Sequence, residues 1–446
     1  MAAKHDRAAG ELLRILGIGF GLAVVVGGVV GQGIMRTPGI VAGALPSEAW
    51  ILGAWAAGGL IILVDACATV ELGTSVPRTG GPYVFATRAF GPSAGTMLGW
   101  ADAINYALAI AYVSVVFAEY AQRLGFGTAL PIGALAILLI VCLATINWIG
   151  TRTCGHSQII GSSIKGLGIL ALVVALWLAP GATQHAAATP ALPPVITIAA
   201  IGTAMRAIAI TYGGWNGAVY CGEEMHQPER NIVRATFGGI ALVSLLYLAV
   251  NGALFHVLTR AQIAASNLPV ADAATAAMGP ASGKLITGLA IFSVVAICNL
   301  QIMFVSRIAF AMARNGILPS LLTRVSRSGT PRMALLCMTA LAAFLASSGS
   351  YERLIAIGAP FTIGVPAITD LAAIALRFKE PDLPRPFRMP LFPLPAVVGF
   401  AVNAVLVGAI FYEDPLDSSL GVALVVAMGI ATRVHAQLAL RRAATA

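Results

Sequence analysis

The segment GGVVGQGIMRTPG, residues 27–39, interrupts the first long apolar run of the chain with five glycines and a proline. By hydropathy alone this run would be one continuous membrane-spanning helix. At membrane depth an unpaired backbone N–H or C=O group costs on the order of several kcal/mol. Helix breakers are tolerated there where the freed groups find partners or line a cavity. The segment therefore indicates a broken helix with a site beside it.

The composition of the chain places most of it in lipid. Its 446 residues are 58% hydrophobic and 10% charged, and the mean hydropathy is +0.88. Soluble proteins carry about 25% charged residues. A β-barrel would show short alternating segments instead of long apolar runs. These values predict an all-α polytopic membrane protein.

Reading apolar runs of about 20 residues between polar or Pro/Gly-rich breaks predicts twelve spans. Their ranges are 15–45, 50–73, 94–123, 130–150, 156–179, 195–226, 233–257, 284–313, 332–348, 353–377, 391–412 and 418–434.

The Lys/Arg distribution predicts the orientation of these spans. With the N-terminus inside, 20 of the 27 basic residues fall on the inner side and four on the outer side. This positive-inside bias fits an even number of helices with both termini cytoplasmic. It also explains the net charge of +9 as topology, which excludes a nucleic-acid partner. The basic N-terminal stretch lacks a small-residue cleavage site, so we expect a retained first helix.

A second glycine pair lies within the sixth predicted span, in TYGGWNGAVYCGEE, residues 211–224. Spans 1 and 6 open two sets of five helices, and interruptions at matching positions of two halves point to a transporter site. Freed N–H groups attract an anion and freed C=O groups a cation. Val30 to Gly33 and Gly213 to Asn216 are thus predicted to form a cradle for an amino-acid zwitterion. The alternative is that the glycines serve close helix packing.

Several motifs resemble the amino acid–polyamine–organocation permeases, and they occur in order along nearly the whole chain. They are GQGIMRTPG (31–39), PRTGGPYVF (77–85), YGGWNGAVYCGEEMHQPERN (212–231), ARNGILP (313–319) and RPFRMPLFP (385–393). The second of these lies in a loop after helix 2. The third is most similar to the L-type amino acid transporters.

This resemblance implies a LeuT-type fold of two inverted five-helix halves, with helices 1 and 6 broken and two further helices. Residues 1–14 would be a cytoplasmic tail, 15–180 and 195–378 the two halves, 391–434 helices 11 and 12, and 435–446 a second tail. It also implies alternating access and a substrate held by both breaks and a helix 7 tyrosine. The substrate-binding residues so implied are Val30, Gly31, Gln32, Gly33, Ile34, Ile210, Tyr212, Gly213, Gly214, Trp215, Asn216 and Tyr247. Ile210 stands where the family often has an aromatic gate residue.

Three basic residues fall within spans. Lys165, in GSSIKGLGILALVV (161–174), is predicted about 13 Å into helix 5, and an intramembrane charge is functional by default. It would either release a proton during the cycle or stay charged in the place of a sodium ion; both readings fit the resemblance, and both make sodium coupling less favoured. A packing ion pair is the alternative. Arg36 and Arg206 fall on the outer halves of the broken helices. There they would attract an acidic substrate above the site or stabilise an outer gate, or they simply reach the outer interface.

The acidic residues within spans are expected to pair with basic side chains of neighbouring helices, although the sequence does not identify the pairs. These acidic residues are Asp65, Asp102, Glu119 and Asp370. A proton-relay role for one of them is the less favoured alternative. Glu223, Glu224 and Arg230 are predicted at the inner exit of helix 6, either as a gate or as a solvated loop.

Other function classes lack their signatures. The six histidines and six cysteines are scattered, so neither a metal site nor a catalytic constellation is predicted, and no cofactor. A channel would favour a continuous polar lining, and a nutrient sensor would favour a soluble extension. No cysteine falls in an outer loop to link a heavy-chain partner, so no obligatory protein partner is implied.

The sequence thus predicts a carrier of amino acids in the plasma membrane, sodium-independent, which exchanges neutral amino acids or takes them up with protons. Acidic amino acids and polyamines are the alternatives, as is a non-transporting sensor on the same fold.

Overall fold

The computed structural model describes residues 12–179, 196–348 and 350–445. Secondary structure in this part of the chain is helical, and the all-α prediction is confirmed. The helices are α1 (Ile18–Val29), α2 (Gln32–Ala44), α3 (Glu48–Ser75), α4 (Pro82–Phe90), α5 (Pro92–Arg123), α6 (Ile132–Ile149), α7 (Thr151–Leu178), α8 (Ile198–Thr211), α9 (Pro228–Val257), α10 (Arg260–Ala265), α11 (Pro269–Met278), α12 (Pro280–Arg314), α13 (Arg332–Ser348), α14 (Tyr351–Lys379), α15 (Leu394–Glu413) and α16 (Pro415–Thr445).

Within the described ranges, nine helices are long and apolar enough to cross a membrane, and a tenth span results if the bent pair α1 and α2 is one crossing. Two predicted spans fall short of the usual length of about 20 residues. The α-helix of span 6 ends at Thr211, and α13 has 17 residues. The count of twelve therefore stays a prediction.

The observed helix ends differ most from the predicted ones where polar residues continue a helix. α7 begins at Thr151, five residues before its predicted start, so Lys165 lies near its middle. α16 continues to Thr445, through the stretch predicted as a tail. The short helices α4, α10 and α11 lie in segments that hydropathy assigned to loops.

Helix α5 lies at the centre of the larger apolar core. It packs against α4, α6, α12, α13, α14 and α16. A second core forms where α1, α2, α3, α8 and α9 meet, around Trp55, Tyr212 and Tyr247. The outer helices instead expose large apolar side chains, such as Leu138, Leu167 and Val405. This distribution places the polar backbone interruptions of α1/α2 and α8 inside the protein.

A buried ion network ties α3 to α14 and to the segment before α15. The carboxylate of Glu71 accepts hydrogen bonds from Nε and Nη2 of Arg377, both at 2.6 Å, and from the backbone N–H of Met389 at 2.6 Å. Nε of Arg385 lies 3.3 Å from the same carboxylate. The side chain of Glu71 is 1% exposed, so its charge depends on these partners.

We expect Glu71→Gln to lower the free energy of unfolding by about 3 kcal/mol or more, because it leaves two arginines without their buried counter-charge. Chemical unfolding of the purified protein in mixed micelles measures this. The matched control is Glu380→Gln. Its ion pair with Arg88 is about one-third exposed on each side, so its loss should cost about 0–1 kcal/mol.

The control pair also has a defined pH dependence. Hydrogen bonds from Arg88 lower the pKa of Glu380. The pair therefore makes its small contribution to the free energy of unfolding at neutral pH. This contribution is lost as the pH falls and the Glu380 carboxylate becomes protonated. Equal losses of stability in the Glu71 and Glu380 variants would contradict the assignment of Glu71 as the buried centre of the network.

Candidate functional site

Two helix interruptions form the candidate site. α1 ends at Val29, Val30 and Gly31 are extended, and α2 starts at Gln32, with a bend of 45° between the two helices. α8 ends at Thr211, and a 3₁₀ segment runs from Trp215 to Glu224. Gly214 joins them with φ of 99°, a conformation that a residue with a Cβ adopts at a cost.

The two interruptions touch each other through their backbones. A Cβ added to Gly28 would lie 2.9 Å from the carbonyl oxygen of Gly214. Conversely, a Cβ on Gly214 would lie 2.8 Å from the carbonyl oxygen of Gly28. One step further along, a Cβ on Gly33 would lie 2.8 Å from Cγ2 of Thr211. Glycine at these positions lets the two chain breaks approach to van der Waals contact.

Tyr247 of α9 joins both interruptions. Its hydroxyl group lies 2.9 Å from the carbonyl oxygen of Val29 and 3.4 Å from that of Thr211, within donating distance of each. The side chain is fully buried and packs edge-on against Trp55 and Tyr212. Sequence resemblance placed this tyrosine beside the substrate, and the structure places it on the last carbonyls of the two broken helices.

Lys165 lies against the first interruption. Its Nζ donates a hydrogen bond of 2.5 Å to the carbonyl oxygen of Gly27, in the last turn of α1, and the side chain is fully buried. In the described part of the chain no carboxylate pairs with it. This hydrogen bond therefore satisfies a carbonyl group at the carboxyl end of α1, where the helix leaves its last carbonyls without intrahelical donors.

Several polar side chains at the interruptions had no sequence signal. Ser293 of α12 donates to the carbonyl oxygen of Val30 at 3.1 Å. The hydroxyl groups of Thr37 and Thr211 are hydrogen-bonded at 2.6 Å and so join α2 to α8. Thr362 of α14 donates to Oδ1 of Asn105 at 2.9 Å, and its methyl carbon would lie 3.8 Å from a Cβ on Gly213. A single serine or threonine in a helix is ordinary, so only the packing reveals these contacts.

The remaining predicted residues occupy different surroundings. Val30, Ile34, Tyr212 and Trp215 are at most 4% exposed, so their side chains belong to the second core. Asn216 is half-buried, and Ile210 is 40% exposed. Gln32 begins α2, and its side chain lies outside the described residues.

The two outer arginines contact other helices. Arg206 forms an ion pair with Glu413 at the end of α15. The guanidinium of Arg36 lies 5.9 Å from the ring centre of Tyr351, at the start of α14. Each arginine is thus engaged with a residue outside the two interruptions.

The prediction that the buried carboxylates pair with basic side chains is wrong for Asp102 and Asp65. Asp102 accepts a hydrogen bond from the hydroxyl of Tyr220 at 3.1 Å, and Asp65 accepts one from Asn403 at 3.1 Å. Within the described ranges neither contacts an arginine or a lysine. Each of the two carboxyl groups has one neutral hydrogen-bond donor instead, and Oδ2 of Asp102 has no partner among the described residues.

At the other end of the 3₁₀ segment, Glu224 forms a buried ion pair with Arg307 of α12. The guanidinium donates from Nη2 to Oε1 at 2.9 Å and from Nε to Oε2 at 3.1 Å. The hydroxyl of Thr151, the first residue of α7, donates to Oε1 at 3.2 Å. The two charged side chains are 0% and 1% exposed. The prediction of a solvated loop here is therefore wrong for Glu224, whereas Glu223 forms a half-exposed pair with Arg314.

Backbone hydrogen bonds join the start of the described chain to the same place. The N–H groups of Ile15 and Leu16 donate to the carbonyl oxygen of Glu224 at 3.0 and 2.8 Å, and the N–H of His226 donates to Leu16 at 2.7 Å. The segment before α1, the 3₁₀ segment, α7 and α12 therefore meet at one end of the molecule.

We expect Gly28→Ala to destabilise the protein by about 1–3 kcal/mol, because the new methyl group would overlap the Gly214 carbonyl. Gly19→Ala, on the same helix, is the matched control. A Cβ there meets nothing within 4 Å, so the change should be neutral or stabilising by up to about 1 kcal/mol. The measurement is the free energy of unfolding of both variants in detergent. Equal stability of the two would contradict direct contact between the two helix interruptions.

Comparison with known proteins identifies the family to which this sequence belongs. The family model described as Amino acid permease matches residues 21–432. The serine/threonine exchanger SteT of Bacillus subtilis (strain 168) is 29% identical over 420 residues, which cover 92% of this chain and 94% of that protein. The Asc-type amino acid transporter 1 of Mus musculus is 27% identical over 424 residues, which cover 93% and 79%. The large neutral amino acids transporter small subunit 2 of Homo sapiens is 27% identical over 432 residues, which cover 93% and 78%.

The family model covers most of the chain, including both interruptions, α7 with Lys165 and α12 with Arg307. The sequence motifs at residues 31–39 and 212–231 therefore reflect a relationship over the whole length. The chain belongs to the amino acid permease family, within the amino acid–polyamine–organocation superfamily.

Proposed function

We propose that this protein is a sodium-independent secondary transporter that exchanges neutral amino acids across the plasma membrane by alternating access. Its relatives described above are named as amino acid transporters. One of them is named an exchanger of serine and threonine, which makes small neutral amino acids the first substrates to test.

The contact of Lys165 with Gly27 is the observation that supports sodium-independent transport. A sodium ion at this place would need carbonyl oxygens of the first interruption as ligands. The Lys165 ammonium already supplies a positive charge to one of them, at 2.5 Å. A fixed internal cation removes the need for a bound one, so substrate binding needs no sodium.

The backbone at the interruptions suits the two charges of an amino acid. The N–H groups in the first turn of α2 lack intrahelical acceptors and lie at the positive end of a helix dipole, which favours a carboxylate. The carbonyl groups of Tyr212 and Gly213 follow the carboxyl end of α8, which favours an ammonium group. Val30, Gly31, Gln32, Gly33 and Ile34 would hold the first group through their backbones, and Ile210 through Asn216 the second.

The protein would be built of twelve spans with both termini in the cytoplasm. Residues 15–180 and 195–378 form the two inverted halves, and 391–434 the last two helices. The broken helices at the start of each half support this division, because α1/α2 and α8 with its 3₁₀ segment occupy matching positions. The positive-inside bias of the basic residues supports the orientation.

The same orientation puts the Glu224–Arg307 pair on the cytoplasmic side. The described conformation is then closed inward, since the pair and the backbone bonds to Ile15 and Leu16 join the segment before α1 to the 3₁₀ segment. Opening toward the cytoplasm would break these contacts. Arg36 and Arg206 would act at the outer side. The ion pair of Arg206 with Glu413 weakens the case for an acidic substrate.

The proposal is tested by flux into liposomes that contain the purified protein, loaded with buffer or with unlabelled serine, in sodium-free medium. We expect labelled serine, threonine and alanine to enter loaded vesicles and not empty ones. Uptake into empty vesicles driven by an inward proton gradient would replace exchange with symport. Absence of flux for these amino acids, leucine and glutamate under either loading would contradict the proposal and direct the search to polyamines or to a sensor.

Replacing Lys165 tests the fixed-charge role. We expect Lys165→Met to reduce exchange at least about tenfold, which corresponds to about 1.4 kcal/mol, because the carbonyl of Gly27 loses its donor. Sodium should not stimulate the unmodified protein. Lys284→Met, at an exposed lysine near the start of α12, is the control and should change exchange less than about twofold. Unchanged exchange in Lys165→Met, or stimulation of the unmodified protein by sodium, would remove the basis of the proposal.

The inner closure is tested through a native cysteine. Cys154 is 2% exposed and lies beside the Glu224–Arg307 pair, with its Sγ 3.5 Å from the sulfur of Met303. We expect Glu224→Gln to open this region and to raise the alkylation rate of Cys154 at least about tenfold, read for each cysteine by mass spectrometry. Glu223→Gln, next in sequence but half-exposed, should leave that rate unchanged within about twofold. Equal rates in the two variants would show that the pair does not close the inner side.

A further inference from the structure

Two buried carboxyl groups face each other away from the helix interruptions. Asp65 of α3 is 4% exposed and Asp370 of α14 is 1% exposed. Each lies nine or ten residues from the end of its helix, about 14 Å along the axis at 1.5 Å per residue. Gly399 of α15 lies directly over both. A Cβ added there would be 2.7 Å from Oδ1 of Asp65 and 2.8 Å from Oδ2 of Asp370.

The hydrogen-bond donors around this pair are too few for two carboxylates. Asn403, one turn after Gly399, donates to Oδ1 of Asp65 at 3.1 Å. Neither oxygen of Asp370 has a hydrogen-bond donor among the described residues. A carboxylate buried without any donor costs on the order of several kcal/mol. Asp370 is therefore a buried, unpartnered side chain aimed at another carboxyl group.

The charged groups nearby are already neutralised. On α3 and α14, Glu71 pairs with Arg377 nearer the helix ends. Cys67 is the other titratable side chain of α3 beside the pair, and a neutral thiol supplies no compensating charge. α15 carries no ionisable residue between Leu394 and Phe411.

Charged residues on the other helices that pack against α3 and α14 make contacts of their own. Asp102 of α5 is bound by Tyr220, Arg88 of α4 pairs with Glu380, and Asp417 of α16 pairs with Arg353.

α9 also packs against α3, and its charged residues near the start, Glu229, Arg230 and Arg234, are exposed, while His256 lies in its last turn. Among the described residues no arginine, lysine or histidine forms an ion pair with Asp65 or Asp370.

We propose that Asp65 and Asp370 together bind one proton, forming a proton site between α3, α14 and α15 that is separate from the site at the helix interruptions. Two ionised carboxylates that both lie against Gly399 repel each other. Neither can donate a hydrogen bond to the other, because an ionised carboxylate is only an acceptor. One proton placed between them turns one group into a donor, satisfies Asp370 and removes one of the two charges. Gly399 leaves the space for this contact, because any larger residue would enter it.

A proton fits this site better than a metal ion does. Among the described residues no group of three or more His, Cys, Asp and Glu side chains could hold a metal. Two carboxyl groups and the amide of Asn403 fall short of the six or more oxygens that Ca²⁺ requires. A monovalent cation such as sodium is the competing ligand, and the experiment below separates the two.

Occupancy of this site would control how α14 is held against α3 and α15. α14 also carries Thr362, eight residues before Asp370 and about 12 Å along the helix, which faces Gly213 at the second interruption. Release of the proton would leave two negative charges between α3 and α14 and loosen their contact. The site thus gives the protein a pH response that does not depend on what it transports.

The experiment compares the thermal unfolding midpoint of the full-length protein in sodium-free detergent from about pH 6 to about pH 9, a range that reaches documented values for buried carboxyl groups. A folded protein that holds a proton which its unfolded chain releases loses stability as the pH rises. We expect the midpoint of the unmodified protein to fall by about 3 °C or more over this range. In Asp370→Asn and Asp65→Asn the amide replaces the proton as donor, and the fall should be less than half as large.

Asp102→Asn, at a buried carboxyl group bound to a tyrosine, is the comparison variant and should keep more than half of the fall. Infrared spectra of the protein with ¹³C-labelled aspartate give a second readout that needs neither transport nor variant stability. We expect a protonated-carboxyl band near neutral pH that disappears at high pH and is absent from both the Asp65 and Asp370 variants. A midpoint independent of pH, a fall that persists in both Asn variants, a fall lost only in Asp102→Asn, or recovery of the midpoint on adding sodium would each overturn the proposal.

Discussion

The structure depends on one constraint, that no backbone polar group within the membrane-embedded core can be left without a partner. Two helices are interrupted in that core, and each interruption frees carbonyl and N–H groups. The freed carbonyls are bound by side chains of three surrounding helices. Tyr247 comes from α9, Lys165 from α7 and Ser293 from α12. The interruptions are therefore fixed from several sides before any ligand arrives.

This division of partners leaves a defined set of groups for the ligand. Protein side chains take the carbonyls of Gly27, Val29 and Val30, which would otherwise require cations or water. The N–H groups at the start of α2 remain, as do carbonyls after the end of α8. Preorganised groups of opposite polarity at two touching breaks favour a small zwitterion over an ion of a single sign.

Local composition predicted the interruptions because glycine clusters occur at matching positions of the two halves. A glycine pair alone does not predict a break, since Gly58–Gly59 and Gly238–Gly239 lie inside the continuous helices α3 and α9. Local composition also predicted that Lys165 is buried, since a lone lysine in the middle of a span has no route to water. The partner of that lysine was not predictable, because it depends on how α7 packs against α1, and the two residues are 138 positions apart. The same holds for Tyr247. The family resemblance identified the tyrosine, and only the fold shows which carbonyls it binds.

Charged residues at helix ends gave the weakest local signal. Glu223 and Glu224 are neighbours with the same composition around them, yet one lies in a half-exposed ion pair and the other is fully buried against Arg307. Successive side chains of a 3₁₀ helix point about 120° apart, so a difference of one position separates solvent from core. The sixth predicted span also differs from the observed helix, for a related reason. The helical part of span 6 ends early, at the glycines that allow the two breaks to touch.

The buried charged groups of the chain differ in whether helix movement or proton binding changes their interactions. Glu71 and Glu224 each accept a two-point contact from an arginine, so each buried carboxylate has a counter-charge held in a defined geometry. Breaking such a pair needs a movement of helices, which suits contacts that open and close during a transport cycle. Asp65 and Asp370 have no arginine, and their charge changes with a proton instead of a movement. Helix α14 is therefore held to α3 by one contact that responds to conformation and, less than two helical turns away, by another that responds to pH.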